Sequence, residues 1–369
     1  LQNSQLLEET TTSFFLQADA KFLDDRLGVT TGFRYEKVED EGRGPLTPTP
    51  GLTVADINAN WVERGLAVSE SFDGYYPSLH LNYNATKNLV LRAAYAFTYG
   101  APDFSQTLPL VRINDTDLAQ NDGIGNINAR TIIYNNTGLE PWTAKGWDLS
   151  AEYYFPNGGL FSVGVFAKEI EDFFATQVGT ATQADLDFLG LDSEYLGYAT
   201  QTMFNRPGTS KVNGVEINFR QPLNFIPRIG ERLEFFVNAT KLDLEGASPA
   251  DFSGFIEDSG NTGITYRGDR TTLRFNVNYR GRQIQGAQTG AAYGGASAGF
   301  FQYFDERITV DANAEYKLGK RMALFANARN LFNAPQDLLR TNDSTPGYAQ
   351  LYQREEFGIQ ITVGLKGSF

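Results

Sequence analysis

The stretch Phe357-Gly-Ile-Gln-Ile-Thr-Val-Gly-Leu-Lys-Gly-Ser-Phe369 decides the fold. Phe357, Ile359, Ile361, Val363, Leu365 and Phe369 share one parity, while Gln360, Thr362, Lys366 and Ser368 occupy the other. A period of two is the mark of a β-strand with one apolar and one polar face, because successive side chains leave opposite sides of the pleat. The pattern recurs at Leu79, Leu81 and Tyr83 against Ser78, His80 and Asn82. It returns at Leu273, Phe275, Val277 and Tyr279 against Arg274, Asn276, Asn278 and Arg280, and at Ile308, Val310, Ala312, Ala314 and Tyr316 against Thr309, Asp311, Asn313, Glu315 and Lys317.

Extended along the chain, this reading predicts thirteen strands, near 12–23, 26–38, 76–85, 88–99, 144–155, 160–175, 210–222, 231–243, 258–267, 271–285, 302–318, 321–332 and 355–369. Most are longer than the usual five or six residues of soluble sheets. Many pair through short turns, as at 22–26, 86–88, 156–159, 268–270 and 319–321. Others are joined by long stretches at 39–75, 101–142 and 176–209, far beyond ordinary loop lengths, which marks them as functional or mobile. Short turns thus fall at one end and long loops at the other. The only helix expected lies within 185–196, inside a long loop.

Composition narrows the chemistry. The chain has 369 residues, no Cys and one His, so disulfides, thiol catalysis and His/Cys metal sites are excluded. His80 sits beside a short turn, away from the long loops, and no His-centred triad is available there. Acidic loop residues Asp103, Asp115, Asp117, Asp122, Asp185, Asp187 and Asp192 lack the spacing of a calcium loop and read as solvated surface. No cofactor, metal or catalytic residue is expected. A net charge of −13 without a basic stripe argues against nucleic acid as a partner. There is no run of 18 apolar residues, so no transmembrane helix is expected. Leu1 to Thr10 lack the pattern of a signal peptide, so the chain reads as a mature or cut piece.

Alternation alone suits either a soluble sandwich, with the apolar face as core, or a membrane barrel, with that face toward lipid. Strand length, the asymmetry of turns and loops, and aromatics near strand ends on the apolar parity favour the barrel. Those aromatics are Phe14, Phe22, Phe33, Tyr35, Tyr95, Phe97, Tyr99, Tyr153, Phe155, Phe357 and Phe369. Gly28, Gly32, Gly164 and Gly214 fall on polar parities inside strands, where a barrel bends or crowds its lumen. The fold class is therefore all-β: a transmembrane, antiparallel, up-and-down β-barrel with short periplasmic turns and long extracellular loops. Arg34, Arg92, Arg220, Arg274, Glu152, Glu216 and Glu234 on the polar face are expected to pair as ions.

An ordered set of motifs resembles the β-barrel of TonB-dependent outer-membrane receptors. Asn136 to Phe155, with Leu139, Pro141, Gly146 and Tyr153-Tyr154-Phe155, is similar to a stretch of that family, except that Glu140 precedes Pro141 rather than following it. Phe166-Ala-Lys168-Glu-Ile170-Glu-Asp172-Phe173, Val212-Asn213-Gly214-Val215-Glu216, Asn278-Tyr279-Arg280-Gly281, Asn327-Ala-Arg-Asn330-Leu331-Phe332-Asn333 and Gly364-Leu365-Lys-Gly-Ser-Phe369 match in order. Arg26 to Glu36 resembles one of its hairpins. Phe369 with Leu365 and Val363 resembles the terminal signal read for assembly into the outer membrane.

The resemblance implies a 22-stranded barrel with an N-terminal plug domain and a segment that engages TonB. This chain shows neither, and an odd strand count cannot close in antiparallel pairing. The whole of 1–369 therefore reads as the C-terminal portion of such a barrel, strands ten to twenty-two. Its implied partners are outer-membrane lipid, the missing plug and strands, and TonB. Its implied role is energised uptake of a scarce large nutrient: a ferric siderophore, haem, cobalamin or an oligosaccharide. The alternatives are a passive porin and a soluble β-rich glycan-binding protein. Ligand contacts are expected from loop aromatics, whose faces stack and whose hydroxyls bond: Trp61, Tyr75, Phe104, Tyr134, Tyr195, Tyr198, Tyr293, Tyr348 and Tyr352.

Overall fold

The computed structural model describes residues 5–44, 67–114, 130–246, 254–287 and 300–367. Thirteen strands form one antiparallel sheet in chain order. They are β1 Leu6–Phe22, β2 Leu27–Arg43, β3 Ala67–Asn84, β4 Leu89–Gly100, β5 Trp142–Tyr154, β6 Leu160–Glu171, β7 Thr209–Pro222, β8 Leu233–Glu245, β9 Asp258–Arg267, β10 Thr271–Arg280, β11 Arg307–Lys317, β12 Met322–Arg329 and β13 Gln360–Gly367. β1 and β13 are its edges. Because every strand pairs with its chain neighbour, connections alternate between the two ends. Segments 23–26, 85–88, 155–159, 223–232, 268–270 and 318–321 lie at one end, and β2, β4, β6, β8, β10 and β12 end at the other. Within this sheet the expected number and order of strands are those observed, although the expected 271–285 and 302–318 are each interrupted, after Arg280 and before Arg307.

Register keeps the two faces separate across the sheet. Phe14 pairs with Tyr35 and Tyr35 with Tyr75, Leu79 pairs with Tyr95, and Tyr95 pairs with Trp147, all on the apolar face. The Tyr95 and Trp147 rings meet at 4.4 Å. Ile361, Val363 and Leu365 of β13 continue that face and are exposed. A one-residue slip would invert every strand's faces, so this alternation fixes the register.

The polar face carries ion pairs and crowded glycines. Arg92 pairs with Glu152, Lys366 with Glu315, and Arg267 with Glu234 at 3.3 Å. Arg274 instead donates to Asn276 at 3.1 Å and covers the Phe236 ring. Gly214 lies opposite Phe166, whose ring occupies the space a Cβ would need. Gly364 is covered in the same way by Phe325, with ring atoms 2.7 Å from the Cβ position. Gly28 and Gly164 are not crowded, since the nearest atoms lie at 3.9 Å.

Boundaries differ from expectation for identifiable reasons. β1, β2 and β3 run further toward the loop end than alternation suggested, with Leu6 paired to Arg43 and Arg43 to Ala67. There Glu8 to Thr12 and Glu36 to Arg43 are polar or charged almost throughout, so the ladder continues where no apolar face advertises it. The β6 ladder stops at Glu171, because Asp172 takes a left-handed conformation (φ 59°) and turns the chain away. Gly358 (φ 75°) likewise breaks the predicted 355–369 strand, so β13 starts at Gln360 and Phe357 falls outside it. The Phe357 ring lies near Arg307 on the polar side, not in an apolar band. Tyr99 also departs from its expected face. Regular β3–β4 pairing ends at Ser78 and Ala96, next to Pro77, which offers no N–H to the ladder. Beyond it the Tyr99 ring stacks on Tyr76 at 4.7 Å.

Parts of the long loops fold into two further sheets that the periodicity did not reveal. One joins Val111–Asn114, Thr131–Tyr134, Ala199–Asn205 and Phe174–Thr180. The other joins Gln283–Ala287, Phe301–Phe304, Gln336–Thr341 and Leu351–Glu355. The expected loop helix spans Gln183–Leu189, followed by a 3-10 turn at Ser193–Tyr195. Thr182 caps it and Gly190 closes it in the left-handed conformation.

Candidate functional site

At the loop end of β2 to β4, the Glu36 carboxylate is buried on the polar face, 6% exposed. Arg34 Nε donates to it at 2.6 Å, and the Tyr99 hydroxyl donates to its other oxygen. Burying a carboxylate is tolerable only with such partners. Tyr76 and Phe72 pack on Tyr99, the latter edge-on at 5.7 Å. This locks an aromatic and acidic knot to the wall where the loops begin. Of these side chains, Arg34 was expected in an ion pair, which it forms with Glu36, and Tyr99 in an apolar aromatic band.

Above β4 to β7, the first loop sheet has its own apolar core of Ile132, Ala181, Leu186, Leu189, Leu191 and Tyr195. Val111, Ile113, Tyr134 and Tyr198 pack against it. Tyr195 is 7% exposed, and its ring meets Tyr198 edge-to-face at 5.4 Å. Burial raises the Tyr134 hydroxyl above the ordinary tyrosine range. The Asp185 carboxyl is held below the usual carboxylate range by the Thr182 hydroxyl and backbone N–H, at 2.6 and 2.8 Å. Three of the expected contact aromatics thus share one loop core. Phe104 opens a helical turn, Phe104–Thr107, and is exposed.

The second loop sheet presents a different surface. Tyr348, on the turn Gly347–Ala349, is 92% exposed, and Tyr352 is half-exposed. The Arg340 guanidinium sits 3.4 Å from the Tyr352 ring centroid and donates to Gln302 at 3.0 Å. A cation over an aromatic face, with a free aromatic nearby, suits a planar or anionic ligand. Arg354 grips Asp337 through two bonds of 2.8 and 2.6 Å, which hold that carboxyl below its usual range.

Tyr75 lies in β3 rather than in a loop, stacked with Phe33 at 5.7 Å and tilted against Tyr35 at 5.1 Å on the apolar face. Val363 and Leu365 lie on the same face of β13. Trp61, Tyr293, Phe369, Asp115, Asp117 and Asp122 are outside the described residues. Among the described residues, no group of three or more acidic or His side chains is placed to hold a metal ion.

Sequence reasoning singled out aromatics because their type is visible; it missed Arg340 and Gln302. The only available signal was an arginine in a segment that also carries Tyr348 and Tyr352.

The model of the TonB-dependent receptor-like β-barrel family matches residues 2–331. No curated protein matches. Among solved structures, the ferric citrate transporter FecA in its unliganded form is 14% identical, with a TM-score of 0.62 over 98% of this chain and 45% of that one. The ferric enterobactin receptor PfeA of Pseudomonas aeruginosa is 17% identical, with a TM-score of 0.61 over 99% of this chain and 54% of that one. The siderophore receptor PirA of Acinetobacter baumannii is 16% identical, with a TM-score of 0.59 over 99% and 55%. At such identities the likeness is one of fold, and the chain spans about half the length of these proteins. Matched over most of its length, with the face alternation and turn asymmetry such a wall requires, this chain belongs to the TonB-dependent receptor-like β-barrel family.

Proposed function

We propose that this chain forms wall and ligand-binding loops of an outer-membrane receptor that captures a scarce iron chelate and imports it at TonB's expense. The observation that carries the reading is the combination of a two-faced, thirteen-stranded wall with loops that fold into sheets of their own at one end. A passive pore has no need of such a built cap, whereas a receptor needs a rigid surface above its lumen. The neighbours named for ferric citrate, ferric enterobactin and siderophores support an iron chelate over haem, cobalamin or oligosaccharide. In this reading Tyr348, Tyr352, Phe104 and Arg340 meet ligand directly, while Tyr134, Tyr195 and Tyr198 hold the cap that presents them. A plug domain and the remaining strands come from polypeptide beyond this chain, the apolar face meets lipid, and Val363, Leu365 and Phe369 guide assembly.

Uptake of radiolabelled ferric chelates by cells with and without the full-length gene tests the proposal. Uptake that disappears on deleting either the gene or TonB is expected; equal uptake in all strains for every chelate tried overturns it.

A further inference from the structure

Arg280 closes β10 and Arg307 opens β11, and the register places them directly opposite each other. Both continue the polar face, Arg280 after Asn276 and Asn278, and Arg307 before Thr309 and Asp311. Like charges in directly opposed positions repel, so the pair is unfavourable on its own.

Nothing nearby among the described residues neutralises it. Among the described residues, no carboxylate lies within ion-pair distance of either guanidinium. The neighbouring acids are committed elsewhere. Asp305 takes Arg282 Nε at 3.1 Å, Asp311 accepts from the Asn330 backbone at 2.9 Å and from Asn278 at 3.1 Å, and Asp337 takes Arg354. Each arginine is held by neutral groups instead. Arg280 donates to the Asp305 carbonyl at 3.1 Å, while Arg307 donates to the Ala334 carbonyl at 2.9 Å and to Gln336 Oε1 at 3.3 Å. Phe304 and Phe357 lie against the two guanidiniums, at 5.5 and 6.0 Å from ring centroid.

Three buried N–H groups here lack a protein acceptor among the described residues: Arg280 Nε, Arg307 Nε and Gln336 Nε2. Orphaned buried donors are costly, and these three fall on residues already gathered by one hydrogen bond and one register pair. Fixed guanidiniums, unneutralised charge and spare donors together make a receptor for an oxyanion, which accepts several N–H bonds at once. We propose that Arg280 and Arg307, with Gln336, bind a carboxylate or phosphate group on the polar face beneath the second loop sheet. This deepens the receptor reading and rests on it for the ligand's route, but its chemistry is testable without transport.

The test is isothermal titration of the full-length protein in detergent with inorganic phosphate and with succinate, at constant ionic strength in chloride. Saturable binding is expected, weakened about tenfold or more in R280Q and R307Q, since each loses a charged donor fork. R280K keeps the charge without the fork and should fall between. Arg220→Gln, at the short-turn end of the same face, should bind as the parent does. Heat-modifiable migration on gels confirms that each variant is folded. If the rest of the polypeptide supplies the oxyanion, free anions will not bind, and the structure of the full-length protein will show a side-chain carboxylate hydrogen-bonded to both arginines. Free-anion binding unchanged in R280Q and R307Q overturns the proposal. So does the absence of free-anion binding together with only water between the two side chains. Loss of uptake bears on the receptor reading alone, because these titrations need no TonB.

Discussion

The ring of Phe166 lies over Gly214 on the neighbouring strand, in the space where any larger residue at 214 would put its Cβ. The glycine surrenders sheet propensity, and the phenylalanine recovers it by covering the bare backbone on the polar face. Gly364 and Phe325 repeat the arrangement at the β13 edge.

Gly214→Val should therefore destabilise the wall by about 1–3 kcal/mol, through overpacking against Phe166 and Leu242. Gly28→Ala, where the nearest atom is 3.9 Å away, should change it by less than about 1 kcal/mol. Urea titration in detergent, followed by heat-modifiable migration, reads both. Equal effects would show that the crowding at 214 is not felt.

Ile217 lies on the apolar face of β7, several residues from either end, and Asn218 on the polar face. Ile217→Arg should destabilise the inserted protein by about 2–4 kcal/mol, the penalty for a charge at mid-bilayer on a lipid-facing position. Asn218→Arg should cost little. Folding yield into lipid vesicles distinguishes them.

Tyr195 is enclosed in the core of the first loop sheet. Tyr195→Ala should loosen that unit by about 3–5 kcal/mol, in line with large-to-small changes in a packed core. Hydrogen exchange across 174–205 should rise sharply while exchange in β6 and β7 stays as in the parent. Tyr348→Ala, at a fully exposed turn, should leave exchange unchanged and weaken only ligand binding.

Asp337 gives the second loop sheet a pH response. Its carboxyl is depressed in the folded protein by Arg354, so the pair's contribution is present above the unfolded carboxyl value of about 3.9 and is lost as pH falls through the lower folded value. Arg354 is half-exposed, so solvent screening keeps that contribution small. Limited proteolysis of 330–359 should quicken below about pH 4 in the parent. In Asp337→Asn it should already be quick at neutral pH and show no such step.

Much of the wall was legible in the sequence because a half-buried sheet imposes a period of two, and β10, β11 and β13 display it openly. The loop ends of β1 to β3 were not, because Glu36 to Arg43 contribute backbone pairing without a consistent apolar side. The loop sheets were hidden for a different reason. Their strands are short and pair across long separations, as Ala199 does with Thr131, so neither strand carries a local signal of its partner. Aromatic loop residues were visible by type, but type does not separate Tyr195, which builds a core, from Tyr348, which faces solvent. The opposition of Arg280 and Arg307 depends on the register between two strands parted by 281–306 and became visible only with it.

The central claim is that one parity of this sheet faces lipid and the other an aqueous lumen. Residues 1–369 contain no cysteine, so a single cysteine introduced here is unique within this chain. Spin labels placed in turn at Leu149, Ser150, Ile217, Asn218, Thr362 and Val363 of the full-length protein in lipid bilayers would be probed with oxygen and with a water-soluble nickel chelate. High oxygen and low nickel accessibility at 149, 217 and 363, with the reverse at 150, 218 and 362, is the result predicted. Nickel access at both parities, or oxygen preference at neither, would contradict it.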